Sequence, residues 1–223
     1  MKSDSHQVIS QAVINRLPRY YRYLRELLAN NIRRISSSEL SGMMGVTASQ
    51  IRQDLNCFGG FGQQGYGYNV KYLFDKISEI LGAREGYHAV IIGAGNLGSA
   101  LAGASAFYNR GVILDALFDV NPAVIGKEIN GKPVYGWDSF RTYLDAHKVD
   151  IAVLTVPKSE ARPVCDALCS AGISGIWNFT GIEIRQKDVP VKNVHLGDIL
   201  MTLCYDMRKK KDEDRDEPEN GEV

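Results

Sequence analysis

Apolar residues at Leu17, Tyr21, Leu24, Leu27 and Leu28 fall at i, i+4, i+7, i+10 and i+11, the stripe of an amphipathic helix, and Pro18 fits its first turn. Ser36-Ser37-Ser38-Glu39 is an S-x-x-E capping box, with Ile35 and Leu40 placed as a hydrophobic staple. It predicts a second helix from near Ser37, ending at Gly45, where a left-handed residue can close it. Thr47-Ala48-Ser49-Gln50 gives another capping box, followed by Ala48, Ile51, Leu55 and Phe58 at i, i+3, i+7 and i+10. Two short helices about a Gly-Val turn make a helix-turn-helix pattern. Beyond it, aromatics alternate with glycines from Phe58 to Val70 around a Gln63-Gln64-Gly65 tip, which predicts a twisted hairpin and so a winged helix. Leu73, Phe74, Ile77, Ile80 and Leu81 then form a further helix from Val70, and Gly82-Ala83-Arg84-Glu85-Gly86 reads as a linker.

The pattern changes at His88. An apolar strand breaks into Gly93-Ala94-Gly95-Asn96-Leu97-Gly98, and Leu97, Leu101, Ala104 and Phe107 continue as a helix. Val112 to Phe118 is a second apolar strand ending in Asp119. Further strands are expected at Asp150 to Val156, Gly175 to Phe179 and around Val191 to Leu196, alternating with helices near Asp138 to Ala146 and Ser159 to Ala171. This alternation describes a doubly wound parallel sheet. The chain therefore reads as an N-terminal winged-helix domain over 1–82, an α/β dinucleotide-binding domain over 83–207, and a charged, disordered tail over 208–223.

Composition narrows the function. In 223 residues no apolar stretch reaches the ~20 residues of a membrane span, and no export signal opens the chain, so a cytoplasmic protein without membrane contact is expected. Cys57, Cys165, Cys169 and Cys204 show no metal-ligand spacing, which predicts reduced, buried thiols and no metal site. Net charge is zero, yet Arg16, Arg19, Arg22, Arg25, Arg33, Arg34 and Arg52 face only Glu26 and Glu39 between the first and last of them. That local excess of five positive charges suits a phosphate-facing surface, although a solvated helix face has the same composition.

If Ile51 and Leu55 point inward on the third helix, then Ser49, Gln50, Arg52, Gln53 and Asn56 point outward as candidate readers of bases and phosphates. Gly60, Gln63, Gln64 and Tyr66 extend the candidate DNA-binding set along the hairpin. In the second domain the glycine turn, Gly93 to Gly98, would place a pyrophosphate at a helix N-terminus. Asp119, 21 residues after Gly98, suits the adenosine ribose hydroxyls and favours NAD⁺ and NADH over their 2′-phosphorylated forms. Val120 and Lys127 lie just beyond, and Thr155, Val156, Pro157, Asn178 and Phe179 are candidates to border the nicotinamide at the strand ends. None of His6, His88, His147 or His195 is a convincing acid or base, and no second large domain closes a substrate cleft. Binding without turnover is the better reading. A small NAD-dependent oxidoreductase with an extra helical module is the alternative, and a CoA-binding protein is a third.

Arg16-Leu17-Pro18-x-Tyr20-Tyr21-x-Tyr23-Leu24, Ile51-Arg52-x-Asp54-Leu55, Phe58-Gly59-x-Phe61-Gly62-x-x-Gly65-x-Gly67-Tyr68, the Gly93 to Gly98 turn and Phe118-Asp119 together resemble the Rex family of bacterial redox-sensing transcriptional repressors. The resemblance covers nearly the whole chain. It implies a homodimer with winged helices on a palindromic operator, Rossmann domains at its centre, and exchanged C-terminal helices, here Asp198 to Met207. It implies repression while NAD⁺ dominates and release by NADH, and it matches Arg16, Tyr108 and Asp198 to positions of switching contacts between subunits, Arg16 also joining the DNA-binding set. The chain departs from the family pattern where a lysine and wing-tip cations are common. Gln53, Gln63 and Gln64 stand there, which lowers phosphate attraction and shifts base preference.

Overall fold

The computed structural model describes residues 9–57, 62–63, 67–104, 107 and 110–216, without the side chains of 62, 63 and 214–216. The chain divides into two compact units, Met1–Glu85 and Gly86–Val223, so the boundary lies at the end of the expected linker.

In the first unit, Ser10 caps α1 (Gln11–Ala29) by accepting a hydrogen bond from the Val13 amide. The helix begins well before Pro18, which stands in its interior instead of its first turn. Val13, Leu17, Tyr20, Leu24 and Leu27 share the buried face, and burial of the added upstream turn offsets the hydrogen bond that proline lacks. Tyr20 is the buried tyrosine of α1, while Tyr21 stacks on Phe74 with ring centroids 4.9 Å apart. β1 (Arg34–Ile35) leads to α2 (Ser37–Met44), where Ser36 and Glu39 form the complete capping box and Gly45 closes the helix at φ 62°. α3 (Ala48–Asn56) is capped by Thr47, which accepts from the Gln50 amide. β2 (Gly62–Gln63) and β3 (Gly67–Asn69) pair antiparallel as the hairpin, and β1 adds to β3, with Ile35 opposite Tyr68. A two-residue strand shows no period, which hid β1 from the hydrophobic pattern. α4 (Val70–Ile80) closes the core around Leu17, Leu24, Leu40, Ile51, Leu55 and Leu73.

The second unit runs β4 (Tyr87–Ile92), α5 (Asn96–Gly103), β5 (Val112–Asp119), β6 (Glu128–Ile129) and β7 (Lys132–Gly136), then a 3-10 turn over Trp137–Ser139. It continues with α6 (Phe140–Ala146), β8 (Ile151–Leu154), α7 (Ala161–Ser170), β9 (Gly175–Asn178), β10 (Val191–Asn193) and α8 (Leu196–Asp216). The sheet order is β10-β9-β8-β4-β5-β7-β6, parallel except for the β6–β7 pair. Val90 and Ile92 enter one apolar core and Ala89 and Ile91 another, so β4 is covered on both faces, as a central parallel strand requires. The β6–β7 hairpin was not expected. Its signal is the two-residue Asn130-Gly131 loop, with φ 51° and 72°, the dipeptide a tight hairpin turn demands.

α8 outruns its expected end at Met207 and corrects the disordered tail, since residues 208–216 are helical. Arg208–Asp212 and Lys209–Glu213 pair at i,i+4 on this extension, at 3.9 and 3.5 Å, a local support that a charge count alone conceals. Residues 217–223 lie outside the described residues.

Candidate nucleotide pocket and nucleic-acid interface

Strand order reverses between β4 and β8, and a cavity of 640 Å³ opens beyond their C-terminal ends. A doubly wound sheet places its ligand at this point, because the outgoing loops diverge there. Each glycine of the turn has its own reason. Gly93 stands at φ 103°, and a Cβ there would lie 2.9 Å from the Thr155 backbone. A Cβ on Gly98 would lie 1.9 Å from the Gly93 carbonyl oxygen, so it permits close passage of helix and strand. Gly95 lines the cavity, yet a Cβ there would meet no protein atom. Its bare backbone faces open space at the N-terminus of α5, where unpaired amides favour an anion.

Asp119 ends β5 at the cavity wall. One carboxylate oxygen accepts from the Ala94 amide at 2.5 Å and the other from the Asn121 amide at 2.8 Å, which ties the acid to the glycine turn. Each oxygen keeps a further lone pair for a hydroxyl. The Thr155 hydroxyl reaches the carbonyl oxygens of Ile92 and Gly93 at 3.0 and 2.7 Å and so secures the start of the turn from β8.

The cavity gathers Gly93, Gly95, Asp119, Val120, Thr155, Val156 and Pro157 from the expected set. Ala94, Asn96, Leu97 and Gly98 build the turn behind it. Three further expected residues neither line it nor build the turn. Lys127 is exposed in the β5–β6 connection. Asn178 is 1% exposed and spends its amide on Ile182, Asn193 and Thr180, holding strand ends together. Phe179 packs on Trp177 at 4.7 Å. Trp137, Glu160 and Val164 line the cavity without having been anticipated, because they reach it from loops and α7 that are remote in sequence.

Histidine chemistry is engaged elsewhere, with His88 2.8 Å from Asp115 and His195 3.3 Å from Glu183. Among the described residues no cluster of His, Cys, Asp and Glu could hold a metal. Of the four thiols expected to be buried only Cys165 is; Cys57 and Cys169 are half-buried, with partial burial pushing the Cys169 thiol up to about 11, and Cys204 is exposed on α8.

In the first unit Ser49, Arg52, Gln53 and Asn56 are exposed on α3 as expected. Gln50 is half-buried, and Asp54, given no role by the sequence pattern, is fully buried. Arg16 grips the Asp54 carboxylate through Nε and Nη2 at 2.7 and 2.6 Å, Tyr20 donates its hydroxyl at 3.0 Å, and Gln50 Nε2 donates at 2.9 Å. Burial raises the Asp54 pKa, but the hydrogen bonds from Arg16, Gln50 and Tyr20 outweigh it and hold the carboxyl below its usual range. Arg16 and Arg19 thus turn to the protein, since Arg19 donates to the Met44 carbonyl. Arg52 reaches the Ser37 hydroxyl at 3.1 Å. Gln63 lies on β2, with its side chain outside the description, and Gly60, Gln64, Tyr66 and Tyr108 lie outside the described residues. Asp198 is exposed in the first turn of α8.

Comparison with known proteins places both halves. Residues 8–56 match a family model described as a putative DNA-binding protein N-terminus, and residues 84–182 match a CoA-binding domain model. A redox-sensing transcriptional repressor Rex of Clostridium botulinum (strain Eklund 17B / Type B) is 50% identical over 209 residues, 93% of this chain and 100% of its own. Rex of Thermoanaerobacter sp. (strain X514) is 49% identical over 205 residues, 92% of each chain. The chain belongs to the Rex family of redox-sensing transcriptional repressors. Among solved Rex-family structures, the repressor RSP in complex with β-NAD⁺ and operator DNA superposes on this chain with a TM-score of 0.84 at 47% identity, covering 96% of this chain and 99% of that one. RSP in complex with β-NADH gives 0.84 at 45%, covering 93% and 98%. For a Rex-family chain the Rossmann-type unit is a sensing module and not an oxidoreductase, which accounts for histidines committed to structure.

Proposed function

We propose that this repressor binds palindromic operator DNA as a homodimer when NAD⁺ dominates and is released when NADH occupies the cavity beyond β4 and β8. The observation that carries the reading is the pairing of Gly95 and Asp119 on one cavity wall. Gly95 offers bare backbone to a pyrophosphate, and Asp119 offers acceptors to the adenosine ribose while repelling a 2′-phosphate. The two RSP complexes, one with NAD⁺ and operator and one with NADH, support both ligands and the DNA. NADH acts as a switch only to the extent that it prefers the state with poor DNA affinity.

Ser49, Arg52, Gln53 and Asn56 present the DNA-facing side of α3, with Gln50 at its edge and Gly60, Gln63, Gln64 and Tyr66 as the wing. Arg16, Tyr108 and Asp198 form the switching contacts between subunits, Arg16 acting from its bond to Asp54 and not by gripping phosphate. Lys127, Asn178 and Phe179 support the cofactor site from outside the cavity. The homodimer is supported by α8, where Leu196, Ile199, Leu200, Leu203 and Met207 leave an apolar seam exposed that a second copy would cover.

The deciding experiment is operator binding titrated against the NADH/NAD⁺ ratio, with NADPH and CoA as controls. Binding should collapse as NADH replaces NAD⁺ and ignore both controls. Insensitivity to the ratio, or release by CoA, would overturn the reading. Replacing Gln53 by Lys should alter base preference across an operator library and steepen the loss of affinity with salt.

A further inference from the structure

The Asp54 cluster does more than tie α3 to α1. An ionised carboxylate accepts hydrogen bonds and cannot donate them, so only the NH₂ end of the Gln50 amide can face Asp54 Oδ1, at 2.9 Å. An amide turned over would set its carbonyl oxygen against the carboxylate. Arg16 makes the constraint firm: its two-pronged grip, with the Tyr20 hydroxyl on Oδ2, fixes the plane of the carboxylate at full burial. One Gln50 N–H is thereby spent inward. When that bond is made through the N–H anti to the carbonyl oxygen, the oxygen and the second N–H are left side by side, one acceptor beside one donor.

That pair matches the N6 donor and N7 acceptor of adenine, whereas the overturned amide would present donors alone, the set that suits the O6 and N7 acceptors of guanine. We infer that Asp54 is a specificity-determining positioning residue, which sets the amide of Gln50 so that it reads adenine and rejects guanine at one position of each operator half-site. The inference rests on the reading that α3 enters the major groove. It also separates the α3 side chains by mechanism: Gln50 is oriented before DNA arrives, while Gln53 is exposed on the same helix.

An operator library selected in parallel by the intact protein and by its Asp54→Asn, Gln50→Ala and Gln53→Ala variants tests this. Asparagine can turn either end of its own amide to Gln50, so Asp54→Asn should reduce the preference for adenine over guanine at a single half-site position by about tenfold or more. Gln50→Ala should erase the preference at that same position, and Asp54→Asn added to it should change nothing further there. The salt dependence of DNA binding should stay unchanged in both, and NADH affinity in Gln50→Ala, whose side chain takes no part in the switching contacts. A purely structural role for Asp54 would instead weaken all operators alike and leave the base preference intact, which would overturn the inference. Should Asp54→Asn prove poorly folded by circular dichroism, Gln50→Ala decides: an adenine preference retained in that variant overturns it. If Gln53→Ala also leaves every preference unchanged, the groove reading of α3 fails as well; if Gln53→Ala shifts a preference and Gln50→Ala does not, only the role of Asp54 falls.

Discussion

Three glycines within six residues do different work, and their substitutions should separate. At Gly98 an added methyl meets the Gly93 carbonyl at 1.9 Å, so Gly98→Ala should lower the melting temperature. At Gly95 the same methyl meets only open cavity and the backbone stands at φ −70°, so Gly95→Ala should melt like the parent while NADH affinity drops at least about tenfold. Thermal melts paired with NADH fluorescence titrations read both. Asp54 supplies a second residue-scale test. Its pKa is lowered in the folded state, so its contribution to stability is complete above the unfolded carboxyl value of about 4 and fades as pH falls through the lower folded value. Asp54→Ala should cost about 3–5 kcal/mol at neutral pH, because it leaves the Arg16 and Tyr20 donors without their acceptor. Urea midpoints collected from neutral to strongly acid pH should show a shallower acid limb for the variant.

At the scale of elements, two capping boxes that look alike in sequence differ in structure. Ser36 and Glu39 exchange both hydrogen bonds, at 3.1 and 2.7 Å. Thr47 receives the Gln50 amide at 3.1 Å, but the Gln50 side chain does not return the bond, because the buried Asp54 charge attracts its NH₂ more strongly than a helix end does. Ser36→Ala and Thr47→Ala should each cost about 1 kcal/mol in denaturant titrations, with base preference untouched by the former. α8 poses the opposite problem, a helix whose apolar seam has no cover among the described residues of its own chain. Ile199, 70% exposed, and Leu203, 52% exposed, stand at i,i+4; in the proposed homodimer this seam is the contact, so charging both as Glu should shift sedimentation from dimer to monomer without loss of nucleotide binding.

Across the whole molecule, the proposed switch joins a pocket in one compact unit to DNA reading assigned to the other. Equilibrium linkage makes that coupling reciprocal: whatever factor NADH removes from operator affinity, operator must remove from NADH affinity. Fluorescence titrations of NADH with and without saturating operator measure one side and operator titrations the other. Unequal factors would mean that a further bound species takes part.

The winged helix and the doubly wound sheet were legible because their signals are local. A capping box, a Gly-x-Gly-x-x-Gly turn after an apolar strand and a 3.6-residue stripe each depend on neighbours within a dozen residues. The start of α1 and the length of α8 were less legible. The first follows from burial of Val13 against partners distant in sequence, and the second from ion pairs along the helix that resemble a disordered charge run. The cavity wall mixes both cases: Gly95 and Asp119 were readable from spacing, whereas Trp137 and Val164 reach it only through the crossover of the sheet. Asp54 marks the division most clearly. Its place on α3 follows from periodicity, but its burial, its charge and its hold on Gln50 exist only because α1 brings Arg16 and Tyr20 across from 38 and 34 residues away. Periodicity and turn chemistry are local properties, while electrostatic partnership is a property of proximity in space, which packing alone creates.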